Sequence, residues 1–217
     1  MKIARSVGVH DGTFHADEVT ACALLVVFNL VDRDKIVRTR DKHKLATCEF
    51  VCDVGGIYDP KQKLFDHHQS NYKGDLASAG MILRYLKEER VISVEENDFF
   101  NNSLILGVDA HDNGRASQEA GTATFSHVIA NFAPIIYDAT PEELSVAFHA
   151  ALDFAIGHLK RLHQRFSYHV ECRKIVGEAM QKYRQCLVFD RAIPWLESFF
   201  ALKGENHTAL YDRKRRL

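Results

Sequence analysis

Four short segments of this 217-residue chain combine aspartate or histidine with glycine or with each other: HDGTFHADE (10–18), CDVGG (52–56), FDHHQ (65–69) and GVDAHDNG (107–114). Carboxylate oxygens and imidazole nitrogens are ligands for divalent metals. Each segment alone has a simpler explanation, as a turn or as a histidine with a structural role. Four segments with the same kinds of ligand indicate a metal site more strongly than any one of them.

The types of ligand also indicate the kind of metal. Carboxylates and imidazoles without a thiolate favour manganese, magnesium, cobalt or iron, whereas structural zinc usually recruits cysteine. Manganese is the preferred single assignment, with magnesium or cobalt as alternatives. Two ions about 3.5 to 4 Å apart and joined by one aspartate would activate water for phosphoester hydrolysis. Asp53, at the end of a predicted strand, is the expected bridge.

The two adjacent histidines of FDHHQ are expected to have different roles. Neighbouring side chains of an extended segment point in opposite directions, so His67 and His68 cannot easily bind the same ion. One imidazole can bind the metal while the other faces a substrate oxygen. Asp66 can then fix the tautomer of an imidazole as its hydrogen-bond partner.

Apolar stretches between these segments predict the elements that position them. Strands are expected over 2–9, 50–54 and 64–65, helices over 18–30 and 77–87, and an apolar segment over 99–108 that delivers Asp109 at its end. Strands separated by helical patterns predict an α/β fold with a mainly parallel sheet flanked by helices. Sites in such folds lie beyond the carboxyl ends of the strands, where all four segments are expected to meet.

The pattern becomes helical from Pro141 onward. A helix is predicted to begin there, capped by Thr140 with Glu143 at the capping-box position. A second helix is predicted over 170–183, a short strand over 186–189 and a short apolar segment over 195–202. We therefore divide the chain into a metal-binding catalytic domain, 1–138, and a helical linker with a smaller, partial α/β substrate domain, 139–217.

Composition narrows the classes of function. The 28 basic and 29 acidic residues give a net charge of -1, so contact with nucleic acid would need a local basic patch. The five cysteines form no CxxC pair, and we find neither an apolar leader nor an apolar run of membrane-spanning length. We expect an intracellular protein without a membrane span. The cytoplasm is the expected location, with the nucleus or mitochondrion as alternatives, and the sequence does not define an oligomeric state.

The motifs GVHDGTFHADE, CDVGGIYDP, FDHHQ and GVDAHDNG resemble those of the MYG-type exonuclease family within the DHH superfamily of phosphoesterases. The resemblance covers nearly the whole chain, in order and spacing. It implies one metal held by His10, His15 and Asp53, and a second held by Asp17, Asp53, His67 and Asp109. It also implies that His68 meets the scissile phosphate. In better-known DHH enzymes the position of His15 is usually aspartate, so this site has one negative charge fewer.

The resemblance implies 3'-5' exonucleolytic hydrolysis of RNA. The expected substrate is RNA or a short oligonucleotide, and the two-metal arrangement makes water the expected nucleophile. Two alternatives remain open: hydrolysis of a small phosphate ester, pyrophosphate or dinucleotide, and metal or RNA binding without catalysis. Ser78 at the start of a predicted helix and Arg115 after the last motif are further candidates for binding phosphate. Simple capping of the helix is the alternative role of Ser78.

Overall fold

The computed structural model describes residues 1–182, 186–204 and 209–212, the last segment by its backbone alone. The chain forms two compact units, Met1–Lys160 and Arg161–Leu217. The boundary between them falls inside a long helix. The functional division predicted between residues 138 and 139 stays a prediction.

The first unit contains a five-stranded sheet. Its strands are β1 (Ile3–Val9), β2 (Ile36–Arg38), β3 (Cys48–Cys52), β4 (Tyr58–Asp59) and β5 (Leu64–Phe65), in the order β2-β1-β3-β5-β4. All neighbouring pairs are parallel except β4 with β5. The predicted mainly parallel sheet is therefore confirmed, and the carboxyl ends of β1, β2, β3 and β5 lie at one edge.

Helices flank this sheet. They are α1 (Ala16–Val27), α2 (Lys42–Leu45), α3 (Ser78–Glu88), α4 (Val94–Phe100), α5 (Leu106–Asp112), α6 (Phe125–Ala130) and the start of α7 (Pro141–Lys182), which continues past Lys160 into the second unit. A 3-10 turn spans Pro60–Gln62. Ten consecutive residues of α1 are buried, among them Asp17 and Glu18, which are fully shielded from solvent. Since buried charges are costly unless paired, both carboxylates need partners within the protein.

The apolar segment before Asp109 is helical and does not end a strand. It consists of α4, a π-helical turn at Asn101–Ile105, and α5, which contains Asp109. Its buried apolar residues are Phe100, Ile105 and Val108. Their spacing follows no regular period, so the apolar run alone does not distinguish a strand from a helix. The segment GVDAHDNG therefore places its aspartates from a helix and not from the end of a strand.

The helix α7 begins as predicted and continues further than predicted. Its start has a capping box, in which the Glu143 amide donates to Thr140 Oγ1 at 3.2 Å and Glu143 Oε2 accepts from the Thr140 amide at 2.8 Å. The separate helix expected over 170–183 is wrong, because α7 runs unbroken to Lys182 and no proline interrupts it. Tyr183, the last residue of that prediction, lies outside the described residues.

The second unit contains the end of α7, β6 (Cys186–Phe189), α8 (Leu196–Ala201) and β7 (Ala209–Asp212). Strands β6 and β7 are parallel. The apolar segment predicted over 195–202 forms the short helix α8. A small core holds this unit together; its buried members are Cys172, Val176, Ala179, Leu187, Phe189, Ile193 and Phe199. Within the described ranges, no helix is both long and apolar enough to cross a membrane.

Candidate metal centre

The first group of candidate ligands forms where β1 passes into α1. His10 follows the last residue of β1, His15 precedes α1, and Glu18 lies in the first turn of that helix. Glu18 Oε1 lies 3.0 Å from His10 Nε2 and accepts a hydrogen bond from the His15 amide at 2.9 Å. One ligand atom from each residue lies within 4.8 Å of the others. Two imidazoles and a carboxylate therefore converge at the end of β1.

Two further groups share His67. One consists of Asp53, His67 and His68, and the other of Asp17, His67 and Asp112, each with its ligand atoms within 4.8 Å. His67 Nε2 lies 3.0 Å from Asp112 Oδ2 and 3.5 Å from Asp53 Oδ1. His67 thus joins carboxylates that arise from β3, α1 and α5.

Asp53 connects the first group to the other two. Its Oδ2 lies 3.3 Å from His10 Nε2, while its Oδ1 lies 3.3 Å from His68 Nδ1. The residue comes directly after β3 and has a positive φ of 55°. Gly55 and Gly56 follow at φ values of 103° and 68°, which residues with a side chain rarely adopt. The two glycines therefore permit the sharp turn after Asp53. This position between the groups is the one expected of a bridging ligand.

Three buried atoms at this place have no hydrogen-bond partner among the residues that the structure describes: Glu18 Oε2, Asp53 Oδ1 and His67 Nε2. Buried polar atoms are nearly always paired, and isolated exceptions are rare. His67 Nε2 lies at ion-pair distances from Asp53 Oδ1 and Asp112 Oδ2, but neither contact has the alignment of a hydrogen bond. Oxygen and imidazole nitrogen atoms so arranged fit the coordination of divalent cations.

Asp17 and Asp109 both contact the start of α3. The amides of Ser78 and Ala79 donate to Asp17 at 2.9 and 2.7 Å, and the Gly80 amide donates to Asp109 Oδ1 at 3.0 Å. Carboxylates at a helix N-terminus are stabilised by the unpaired amides there. Asp17 also belongs to a candidate group, whereas Asp109 belongs to none of the three groups.

Two residues of the candidate groups, Glu18 and Asp112, were missed by the sequence reasoning. Asp112 lies three residues after Asp109, so both can face the same side of a helix. The sequence DNG is also typical of a turn, and the apolar run before it does not distinguish a helix from a strand, so the sequence does not show that both aspartates lie on one helix. For Glu18 no local pattern indicated a contact with His10, since that contact depends on how β1 and α1 are joined.

The two adjacent histidines occupy different environments. The side chain of His67 is 7% exposed, whereas that of His68 is 63% exposed. Asp66 Oδ1 accepts a hydrogen bond from the His68 amide at 3.0 Å and lies 2.8 Å from His68 Nδ1. Asp66 Oδ2 accepts from the Gly56 amide at 2.6 Å. Asp66 therefore fixes both the His68 ring and the glycine turn.

A cavity of about 1030 Å³ opens over this centre. The candidate ligands on its wall are His10, His15, Asp17, Asp53, His68 and Asp112. Ser78 is fully buried, with its amide donating to Asp17 and its hydroxyl to the Phe65 carbonyl. Arg115 donates to the carboxylate and the carbonyl of Asp75. As far as the chain is described, neither Ser78 nor Arg115 lines the cavity, and their predicted contact with phosphate stays a prediction.

The buried charges strongly affect protonation. Burial lowers the pKa of His10, but the carboxylates of Asp53 and Glu18 outweigh it and raise that pKa to about 10. Burial also lowers the pKa of His67, and Asp112 with Asp53 raises it to about 10. Burial raises the pKa of Asp53, but His10 and His67 hold it at about 2. Burial raises the pKa of Asp109 to about 7.

After removal of divalent ions by a chelator, we expect the melting temperature to fall as pH rises from 6.5 to 9. The raised pKa values of His10 and His67, about 10, mean that both imidazoliums stabilise the folded chain below pH 6.5 and lose this effect toward pH 10. The low pKa of Asp53 keeps its contribution constant over this range. Magnesium, which replaces these protons, should raise the melting temperature more at pH 9 than at pH 6.5.

Thermal melts with and without magnesium check this expectation. The His67→Gln variant serves as a comparison, because it should reduce the pH dependence of the chelated protein. Melting temperatures of the chelated wild type that do not change between pH 6.5 and 9 would contradict the proposed protonation of His10 and His67.

Gly80 permits the contact between α3 and Asp109. A Cβ atom at this position would lie 1.9 Å from Asp109 Oδ2, which is too close for any real contact. We expect Gly80→Ala to destabilise the protein by about 1 to 3 kcal/mol, because the carboxylate or the helix must move. Gly157→Ala is the matched control in α7, since its added Cβ would meet no atom within 4 Å beyond its chain neighbours and its own helix backbone in the part of the chain that the structure describes. Equal free energies of unfolding in urea for Gly80→Ala, Gly157→Ala and the wild type would contradict this packing.

The fold and the centre together define the class of protein: an α/β protein with a candidate metal centre at the carboxyl edge of a mainly parallel sheet. The chain belongs to the Uncharacterised protein family (UPF0160), of the MYG1 exonuclease type, which it matches over residues 6–214.

Relatives of this chain come from bacteria and from mammals. It is 51% identical over 211 residues to the MYG1 protein of Chlamydia pneumoniae, covering 97% of this chain and 72% of that protein. It is 31% identical over 235 residues to the MYG1 exonuclease of Bos taurus, covering 91% of this chain and 61% of that protein. For the MYG1 exonuclease of Homo sapiens the identity is 30% over 236 residues, with 91% and 62% covered. No solved structure matches the chain.

Proposed function

We propose that this chain is a metal-dependent phosphodiesterase that degrades RNA stepwise from the 3' end. The observation that carries the proposal is the cavity over three neighbouring groups of ligands, two of which share His67, together with three buried atoms that lack a hydrogen-bond partner among the described residues. The names of the mammalian relatives support a nuclease. This chain spans about three fifths of their length, so their activity supports the proposal without establishing it. The four motifs support a place in the DHH superfamily.

Divalent ions held in this centre would supply Lewis-acid activation of water and stabilise negative charge on the phosphate. We assign one ion to His10, His15, Glu18 and Asp53, and the second to Asp17, Asp53, His67 and Asp112. Glu18 adds the negative charge that the histidine at position 15 does not provide. Asp112 takes the position that the resemblance assigned to Asp109, because its carboxylate contacts His67 while that of Asp109 binds the amide of Gly80.

The other residues of the site bind and orient the substrate. His68 is exposed to the cavity and is assigned to the phosphate that is cleaved, with its ring held by Asp66. The tight turn at Gly55 and Gly56 borders the same cavity without a side chain, so a nucleotide can approach the backbone there. Manganese remains the proposed metal because the assigned ligands are oxygen and imidazole nitrogen atoms.

Hydrolysis of a 5'-labelled RNA oligomer in the presence of manganese tests this function. The matched DNA oligomer, a dinucleotide and pyrophosphate are assayed in parallel. We expect stepwise shortening of the RNA from its 3' end, at a higher rate than for DNA. Preferential hydrolysis of pyrophosphate or the dinucleotide, with poor competition by oligonucleotides, would support a small-molecule hydrolase. Manganese binding without hydrolysis of any substrate would support a binding protein.

A further inference from the structure

The cavity wall is acidic, with one marked exception. Five aspartates line it: Asp11, Asp17, Asp53, Asp66 and Asp112. Of the lining residues that the structure describes, Arg40 alone carries a permanent positive charge. A phosphodiester chain is an anion at every linkage. Asp17, Asp53 and Asp112 are assigned to the metal ions, so the part of the substrate that extends beyond the cleaved phosphate is repelled by the remaining two, Asp11 and Asp66. Arg40 is the side chain suited to attract it.

The backbone at Arg40 is fixed at the edge of the sheet where the catalytic centre lies. The Thr39 amide donates to the Val9 carbonyl at 2.8 Å, which holds this segment beside the end of β1 and next to His10. On the other side, the Asp41 amide donates to Thr39 Oγ1 at 3.1 Å, and Asp41 Oδ1 caps α2 by accepting from the His43 amide. The attachment point of the guanidinium is therefore defined.

The guanidinium itself is weakly held. Its side chain is 65% exposed, and Arg40 Nε lies 3.4 Å from Oδ1 of Asp11, whose side chain is 52% exposed. A single exposed contact of this kind contributes little to stability, and another anion can replace it. Arg38, two residues earlier, differs because it donates to the Gly12 carbonyl and lies over the Phe148 ring at 4.7 Å. Arg38 has a structural role, whereas Arg40 is available for a ligand.

Depth in the cavity indicates which part of the substrate Arg40 contacts. His10 and Asp53 are 5% and 4% exposed, so the candidate ligands lie at the base. Arg40 lies at the mouth, as its large exposure shows. A guanidinium presents paired donors that match two oxygens of a phosphate. A phosphate held at the mouth is thus a neighbour of the cleaved phosphate along the chain.

We propose that Arg40 binds the phosphate next to the scissile one and thereby gives this chain a preference for substrates with two or more consecutive phosphodiester linkages. The inference rests on the proposed phosphodiesterase function and specifies its substrate class. Because the contact is made outside the reacting centre, it contributes to binding and leaves the chemical step unchanged.

Steady-state kinetics on two substrates test this role. The substrates are a short RNA oligomer with several phosphates and bis(p-nitrophenyl) phosphate, which has one. Arg40→Ala is expected to raise KM for the oligomer about tenfold with kcat unchanged, and to leave both constants for the single-phosphate substrate as in the wild type. Arg40→Lys should restore part of the loss. Arg84→Ala, which removes an exposed arginine paired with Glu88 on α3, is the control.

The outcomes separate this role from the proposed function. A wild-type chain that cleaves the oligomer while Arg40→Ala keeps the same KM would overturn the role of Arg40 alone. Equal increases of KM for both substrates would also overturn it, because they would place Arg40 at the cleaved phosphate. A wild-type chain that cleaves neither substrate would overturn the phosphodiesterase function, and the role of Arg40 with it.

Discussion

Replacement of Asp53 by alanine is expected to lower the rate of RNA hydrolysis on the order of 10⁴-fold, the scale seen when one member of a catalytic unit is removed. Asp53 contacts the imidazoles of His10, His67 and His68 and links the groups assigned to the two ions. Its loss therefore affects the whole centre and not a single contact. The bound metal per chain should fall together with the rate.

Initial rates and metal content measured on the same samples check this prediction. Asp53→Asn is the second variant, because it keeps the size of the side chain and removes its charge. Asp34→Ala is the matched control, since it removes an exposed aspartate that does not line the cavity. An Asp53→Ala chain that keeps both its metal content and a rate within tenfold of the wild type would contradict the assigned bridging role.

Replacement of His68 by alanine is expected to lower kcat about 10²- to 10⁴-fold, the range for loss of a group that acts directly on the reacting atoms. The metal content should stay close to that of the wild type. This separation is expected because the His68 side chain is largely exposed in the cavity, whereas His67 lies buried among the carboxylates of Asp53 and Asp112. The variant His67→Ala should lose metal and activity together.

Single-turnover rates at saturating manganese, with metal analysis of the same protein, distinguish the two histidines. His43→Ala, an exposed histidine of α2, is the control. Asp66→Asn should give a smaller loss, about 10- to 100-fold, because Asp66 acts by holding the ring of His68. Loss of metal from His68→Ala equal to that from His67→Ala would show that both imidazoles are ligands and would contradict this division.

The strand ends explain why much of the site could be predicted from the sequence. His10 and Asp53 directly follow the parallel strands β1 and β3, and His67 comes two residues after β5. Their convergence follows from the topology of a parallel sheet and needs no knowledge of side-chain packing. The capping box of α7 could also be predicted, because capping depends only on residues three apart in the chain.

The remaining residues depend on contacts between elements distant in sequence. Asp109 and Asp112 lie on one short helix, and only the packing of α5 against α3 decides which carboxylate binds the Gly80 amide and which contacts His67. Glu18 reaches His10 through the turn between β1 and α1. Local sequence patterns predict none of these contacts. The single helix α7 was divided because periodic apolar spacing indicates a helix without fixing where it ends.

Anomalous diffraction from crystals grown with manganese tests the central claim most directly, because it locates the ions independently of activity. The assignment predicts two peaks that share Asp53, one beside His10, His15 and Glu18, and the other beside Asp17, His67 and Asp112. Peaks outside the cavity, or no ion bound by Asp53, would contradict the metal centre. A second ion bound by Asp109 in place of Asp112 would contradict the ligand set while keeping the centre.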